Sequence, residues 1–195
     1  DGVNLKSLMK IAQQQGFRIP REQAAYITAE ICRGLSHAHQ CRDTQGQVLH
    51  IVHRDVSPPN VLLSREGEIK IVDFGLARAA TQIRATDPGI VKGKFGYLCP
   101  EATTGEAVDL RADIFSTGII LWELLAGRRL FLGESNLDTV KLVRAAKIPS
   151  LTDLNPEVEP ELDAVVQKAL SRNPSDRYQS CEEFSHELTR YLFSN

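Results

Sequence analysis

The chain is poor in the features that mark several specialised classes of protein. Only four of its 195 residues are cysteines, scattered without a Cys-x-x-Cys pair, so neither a disulfide framework nor a zinc site is indicated. The net charge of −2 gives no basic footprint for nucleic acid. The longest apolar run, over residues 118–127, is too short for a bilayer and contains Glu123. We therefore expect a cytoplasmic segment that contacts neither nucleic acid nor a membrane, although its parent protein could be anchored through other segments.

What is present is the composition and patterning of a mostly helical globular domain. Apolar residues make up 42% of the chain, and 195 residues suffice for one domain that buries roughly 70% of its unfolded surface. Apolar positions at three- and four-residue steps predict helices before Gly16, after Pro20, and over 114–125, 136–146, 160–170 and 181–192. Two short apolar runs around a turn at Gly67 predict a hairpin. The expected fold class is mainly α with a small β-hairpin.

Two polar motifs lie on the loops beside these strands. The first reads His-Arg-Asp-x-x-x-x-Asn and runs from His53 to Asn60; the second reads Asp-Phe-Gly and begins at Asp73. Together they place a carboxylate, an amide and a second carboxylate on neighbouring loops. In this form and order they resemble the catalytic loop and the magnesium loop of the protein kinase family. The resemblance implies a protein-kinase-like C-terminal lobe that uses ATP and Mg²⁺ and acts on a protein substrate.

Later features follow in the order that this resemblance implies. Cys99-Pro100-Glu101 stands where the family usually has Ala-Pro-Glu, at the end of the activation segment. Asp113 then opens the long apolar stretch that resembles the family's central helix. Arg177 matches the arginine that pairs with the glutamate of Ala-Pro-Glu. Because these matches are ordered along the chain, chance recurrence of a short string does not explain them.

The resemblance assigns a role to each motif residue. Asp55 matches the catalytic carboxylate that orients the substrate hydroxyl, mainly by positioning it. Asn60 and Asp73 match the two magnesium ligands, and both offer the hard oxygen atoms that Mg²⁺ accepts. Leu62 resembles the apolar residue under the adenine ring, although it could equally be ordinary strand core. Asn4 aligns loosely with a polar position that reaches the ribose.

Two positions depart from the family's usual pattern. Most Ser/Thr kinases have a lysine two residues after the catalytic aspartate, where this chain has Ser57. Most also have a threonine in the Gly-Thr-x-x-Tyr motif, where this chain has Lys94. We hypothesise that Lys94 reaches over Asp55 and replaces the missing cation, while Ser57 takes the role of the small hydroxyl. The alternative is a weakened or inactive kinase.

Arg54 precedes the catalytic aspartate, a feature that in the family accompanies control by phosphorylation of the activation segment. A phosphate there would pair with the arginine and order the loop. Thr81 and Thr86 are the candidate phosphorylation sites, and each could equally be a plain loop residue.

The family's N-terminal lobe has no counterpart in the sequence. No Gly-x-Gly-x-x-Gly loop and no strand lysine precede His53. We therefore expect residues 1–195 to be the C-lobe of a protein kinase domain only, inactive without the N-lobe of the same parent chain.

Three functions remain open at this point. Pro58 favours a protein Ser/Thr kinase, and the residues of the motifs resemble those of a bacterial branch of Ser/Thr kinases. A pseudokinase that scaffolds a protein partner is the main alternative, but a scaffold has no physical need for Asp55, Asn60 and Asp73 together. A small-molecule phosphotransferase is disfavoured by the long segment that ends at Glu101 and by Arg177.

Overall fold

A computed structural model describes residues 2–74 and 94–194. Its sheet has three short antiparallel strands in the order β1 (Gly2–Asn4), β2 (Val61–Ser64), β3 (Ile69–Ile71). The predicted hairpin is confirmed as β2 and β3, which pair from Val61–Ile71 to Leu63–Ile69. Strand β1 was not predicted, because three residues are too few to show an alternating pattern. A side chain at Gly2 would lie 2.2 Å from the carbonyl oxygen of Leu63, so this close pairing requires glycine.

Helices form the rest of the described fold. The long ones are α1 (Leu5–Gln15), α2 (Arg21–His39), α4 (Arg111–Ala126), α5 (Asn136–Ala145), α7 (Pro160–Ala169) and α8 (Cys181–Ser194). Each of these was predicted, and Gly16 ends α1 in the left-handed conformation that favours glycine. Two single-turn helices, α3 (Pro100–Thr104) and α6 (Leu151–Leu154), were not predicted. They are too short to carry a helical period.

Helix α4 is the core of the domain. Its residues from Ala112 to Leu125 are all buried, and α2, α6, α7 and α8 pack against it. Gly118 lets α4 pack tightly against the end of α7, since a Cβ at this position would lie 3.1 Å from side-chain atoms of Ala169 and Leu170. Helix α1 packs against β1, β2 and the turn that precedes β2. None of the helices in the two described ranges has the length and hydropathy needed to cross a membrane.

Two segments that flank the catalytic and magnesium loops were not predicted. Val48 makes a single bridge to Arg42. Lys94–Tyr97 forms a 3₁₀ turn. Phe95 and Tyr97 in this turn are buried, so packing imposes a local order that the sequence does not signal.

Candidate active site

The catalytic loop is held by a buried carboxylate at the start of α4. Asp113 is fully buried, and its two oxygens accept the backbone N–H groups of His53 and Arg54, each at 2.8 Å. Nε2 of His39, at the end of α2, lies 2.8 Å from Oδ2 of the same carboxylate. Burial opposes a charged imidazole, but the hydrogen bond that His39 donates to Asp113 outweighs it and raises the pKa of His39 to about 9. Asp113 therefore joins α2, α4 and the catalytic loop.

The buried pair of His39 and Asp113 predicts a loss of stability at alkaline pH. The pKa of His39 is raised on folding, so its contribution is complete below the unfolded value of about 6.5 and disappears as pH passes about 9. We expect the free energy of unfolding to fall by roughly 2–3 kcal/mol more in the wild-type chain than in His39→Gln across this interval. Urea titrations at pH 6 and pH 9.5 measure the difference. Parallel curves for the two proteins would show that folding does not raise the pKa of His39.

The catalytic and magnesium loops contact each other, and each contains one residue with a strained backbone conformation. Arg54 and Asp73 have φ angles of 63° and 66°, in the left-handed region that residues other than glycine seldom adopt. Nε2 of His53 lies 3.0 Å from the carbonyl oxygen of Val72, and its ring packs on Phe74 with centroids 4.5 Å apart. The structure thus brings together the two loops that the sequence places 13 residues apart, between Asn60 and Asp73.

Three predicted site residues meet at one carboxylate. Nζ of Lys94 lies 2.8 Å from Oδ2 of Asp55, and Nδ2 of Asn60 donates to the same oxygen at 3.2 Å and to the Asp55 carbonyl at 2.9 Å. The Asp55 side chain keeps 22% of its surface exposed. The predicted approach of Lys94 to Asp55 is therefore confirmed as a contact, and a hydroxyl can still reach the carboxylate from solvent.

Ser57 is placed differently from its expected role. Its side chain is buried, and its hydroxyl donates to the backbone carbonyl of Asp55 at 3.4 Å, not to the carboxylate. The turn from Pro58 to Asn60 follows directly, so the hydroxyl lies against the main chain of the loop. Shaping the catalytic loop is the function that this contact supports.

The oxygen donors expected to hold Mg²⁺ are available. Because Asn60 uses its nitrogen to hold Asp55, its Oδ1 is left for a cation. The carboxylate of exposed Asp73 makes no ion pair with any residue in the described ranges. One amide and one carboxylate suit a magnesium ion that completes its shell with phosphate oxygens and water.

Leu62 presents an apolar side chain to solvent. It is 41% exposed although it lies in β2, with Asn4 and Lys70 as its partners in the sheet. This exposure argues against the alternative that Leu62 is ordinary strand core, and its expected contact with the adenine ring stays a prediction. Asn4 caps α1 by accepting the backbone N–H of Ser7 at 2.9 Å, so its side chain already has a local role.

The predicted ion pair between Glu101 and Arg177 is present and buried. Nη1 and Nη2 of Arg177 donate to the two carboxylate oxygens at 2.7 and 2.8 Å. The guanidinium also donates to three backbone carbonyls and lies 4.7 Å from the ring of Phe115. Burial opposes ionisation of Glu101, but the bonds from Arg177 outweigh it and hold the pKa of Glu101 below its usual value. The pair fixes α3 to the helical core.

A groove of about 930 Å³ is lined by residues of α1, of the catalytic loop and of the segment that follows α4. Asp55, Ser57, Asn60 and Lys94 are among the lining residues. A chain laid in this groove would bring a side-chain hydroxyl to Asp55, so the geometry suits transfer of a group to an extended substrate.

Comparisons with known proteins agree with this geometry. A family model described as the protein kinase domain matches residues 1–189. The chain belongs to the protein kinase family. Its curated relatives include PknB of Mycolicibacterium smegmatis, a serine/threonine-protein kinase 39% identical over 193 residues that cover 97% of this chain and 29% of the relative. Tyrosine-protein kinase MasK of Myxococcus xanthus is 35% identical over 191 residues, covering 98% of this chain and 30% of the relative.

Solved kinase structures show the same fold. The PknI kinase domain of Mycobacterium tuberculosis superposes with a TM-score of 0.68 and 27% identity over 97% of this chain and 62% of that one. The chain thus spans less than a third of the curated kinases above and about three fifths of a solved kinase domain.

Sequence reasoning missed the part that Asp113 and His39 play in this kinase site. Asp113 was recognised only as the start of the long apolar stretch, and nothing in the sequence singled out His39. A buried carboxylate opposite the N–H groups of a motif loop appears only once the tertiary structure is formed. Thr81 and Thr86, the candidate phosphorylation sites, lie outside the described residues.

Proposed function

We propose that this chain is the helical lobe of a protein kinase that transfers the γ-phosphate of ATP to serine or threonine hydroxyls of a protein substrate. The observation that carries the proposal is the meeting of Asn60 and Lys94 on the carboxylate of Asp55, which lines a groove of about 930 Å³. A scaffold would gain nothing from this arrangement. The chain covers only 62% of a solved kinase domain, so we propose that residues 1–195 belong to a longer gene product, and that product is the enzyme to be tested.

Each residue has a distinct task in the proposed transfer. Asp55 accepts a hydrogen bond from the substrate hydroxyl and holds its oxygen in line with the phosphorus. Lys94 supplies positive charge where the transferring phosphate passes, and Asn60 fixes the carboxylate by its bonds to Asp55. Asn60 and Asp73 would hold Mg²⁺, which offsets the charge of the nucleotide phosphates when bound.

The proposal is tested by removing the charge of Asp55. We expect Asp55→Asn in the longer gene product to lower turnover about 10³-fold or more, because the amide can no longer orient the hydroxyl by accepting its proton. Transfer of labelled phosphate from ATP to a protein substrate measures it, with circular dichroism to show that the variant folds. Undiminished transfer would exclude Asp55 as the catalytic residue, and no transfer by the wild type would favour a scaffold.

Tyrosine is a second candidate acceptor. The relative named as a tyrosine-protein kinase, MasK, matches nearly the whole chain at 35% identity, close to the 39% of PknB. Pro58 in the catalytic loop supports serine or threonine. Phosphoamino acid analysis of the product decides between them, since phosphotyrosine alone would reject the Ser/Thr assignment.

We further propose that the nucleotide site is completed by an N-lobe from the same parent protein. Leu62 is exposed on β2 where an adenine ring or a covering lobe would bury it. We expect residues 1–195 alone to bind Mg²⁺–ATP with a dissociation constant of about 1 mM or weaker, because few contacts to the phosphates remain. Isothermal titration measures this. Micromolar binding would show that the chain already holds a complete site.

A further inference from the structure

The groove lined by Asp55 and α1 differs in charge from the chain as a whole. Among the described residues that line it, two are carboxylates, Asp55 and Glu123, while six carry positive charge: Lys6, Lys10, Arg18, Lys94, Arg128 and Arg129. The complete chain has a net charge of −2. The excess of cations is therefore local to the groove and opposite in sign to the rest of the surface.

Both carboxylates of the groove are already occupied. Asp55 is paired with Lys94. Glu123 is buried, and its carboxylate accepts from Nε of Arg129 at 2.9 Å, from the backbone N–H of Leu130 at 3.0 Å and from the hydroxyl of Tyr97 at 2.6 Å. Burial also raises the pKa of Glu123. Whether it is protonated or paired, Glu123 offers no available negative charge to a substrate.

The other four cations are not neutralised by any described carboxylate. Lys6 and Lys10 are exposed one turn apart on α1 and therefore project from the same face. Arg18 donates to the neutral oxygens of Asn155 and Leu154, at 3.0 and 3.3 Å.

Arg128 is also uncompensated. It is exposed, and its guanidinium carbon lies 5.4 Å from the centroid of the Trp122 ring, a contact that leaves its charge intact. Four uncompensated positive charges therefore border one groove.

Apolar side chains between these cations suit a peptide. Phe17 and Leu132 line the groove and are 45% and 54% exposed, and Met9 and Pro59 lie beside them. A space of this volume is on the order of 10 Å across, which an extended chain spans with about three residues. The charged side chains of a bound segment would thus lie within a few residues of the hydroxyl at Asp55.

We propose that this groove selects protein segments that carry glutamate or aspartate close to the acceptor hydroxyl. The inference rests on the proposed kinase function and specifies its substrate. Acidic side chains would meet the four unpaired cations, whereas a basic segment would place like charges against them and find no available carboxylate.

Peptide binding to residues 1–195 tests the inference without catalysis. Three fluorescent peptides of equal length would carry a central serine flanked by glutamates, by alanines or by lysines. At low ionic strength we expect the glutamate peptide to bind at least about tenfold more tightly than the lysine peptide, by fluorescence anisotropy. The difference should shrink in 1 M salt, where the Debye length is about 3 Å. Equal binding of the glutamate and lysine peptides would overturn the proposal.

Charge reversal locates the effect in the groove. The double variant Lys6→Glu/Lys10→Glu should weaken binding of the glutamate peptide about tenfold and strengthen binding of the lysine peptide. The matched control Arg65→Glu/Lys147→Glu changes the net charge equally at exposed positions outside the groove and should leave both affinities unchanged. Should the α1 variant fail to fold by circular dichroism, Arg128→Glu tests the opposite wall. If the control variant lost affinity for the glutamate peptide to the same extent, the effect would come from net charge alone, and the groove would be rejected as the binding site.

Two further measurements separate the possible failures. A single-stranded oligonucleotide of equal negative charge that binds as tightly as the glutamate peptide would overturn the proposal in favour of a general polyanion surface. In the longer gene product, kcat/KM for the glutamate and lysine peptides repeats the comparison with catalysis. Transfer without preference contradicts only the acidic substrate class, whereas selective binding without any transfer contradicts only the kinase function.

Discussion

Glu101→Ala is expected to lower the free energy of unfolding by roughly 3–5 kcal/mol. The substitution leaves the guanidinium of Arg177 buried without its anion, and desolvation of an unpaired charge costs far more than an exposed ion pair gains. Arg177 is only 2% exposed, and both of its terminal nitrogens now donate to Glu101. Chemical denaturation followed by circular dichroism measures the loss.

Two variants make this result specific. Glu68→Ala removes an exposed partner of Lys70, with both side chains more than half exposed, and should cost no more than about 1 kcal/mol. Glu101→Ala/Arg177→Met removes both charges and should recover part of the loss, since no buried charge is then stranded. A change of only a few tenths of a kcal/mol for Glu101→Ala would mean that water or another group compensates Arg177.

Lys94→Thr is expected to lower turnover of the longer gene product about 100-fold. The lysine usual two residues after the catalytic aspartate is replaced by Ser57, so this substitution leaves the transferring phosphate without either cation. Loss of one preorganised charge at a developing transition state has an effect of this order. Steady-state kinetics measures it, with Lys147→Thr as a control at an exposed lysine outside the groove.

Adding Ser57→Lys to Lys94→Thr should recover much of the lost turnover. Ser57 and Asp55 both line the groove, and the Ser57 hydroxyl lies 3.4 Å from the Asp55 carbonyl oxygen, so a lysine at position 57 can extend toward the carboxylate. A double-mutant cycle measures the coupling between the two positions. Additive effects would show that Lys94 does not replace the missing cation. Higher turnover in Lys94→Thr alone would show that its 2.8 Å contact with Asp55 holds the site closed.

Much of the fold could be predicted from local pattern. Most of the long helices follow from apolar periodicity, and Gly16 and Gly127 end two of the helices. The hairpin follows from two apolar runs around Gly67. Short elements could not be predicted in this way. Strand β1 has only three residues, and the turn from Lys94 to Tyr97 is ordered by burial of its aromatic rings against other elements.

The sequence by itself determined the chemistry available to this protein: its motifs name Asp55, Asn60 and Asp73, and the exchange of lysine between positions 57 and 94 is visible in the order of residues. Only the tertiary structure decided how these groups are used. It placed Lys94 on Asp55, turned the Ser57 hydroxyl toward the backbone, and gathered unpaired cations from α1 and the end of α4 along one groove. The physical reason is that local and tertiary interactions act over different distances along the chain. Helix and turn preferences act over a few neighbouring residues, whereas the charge and burial of a site depend on groups far apart in the chain.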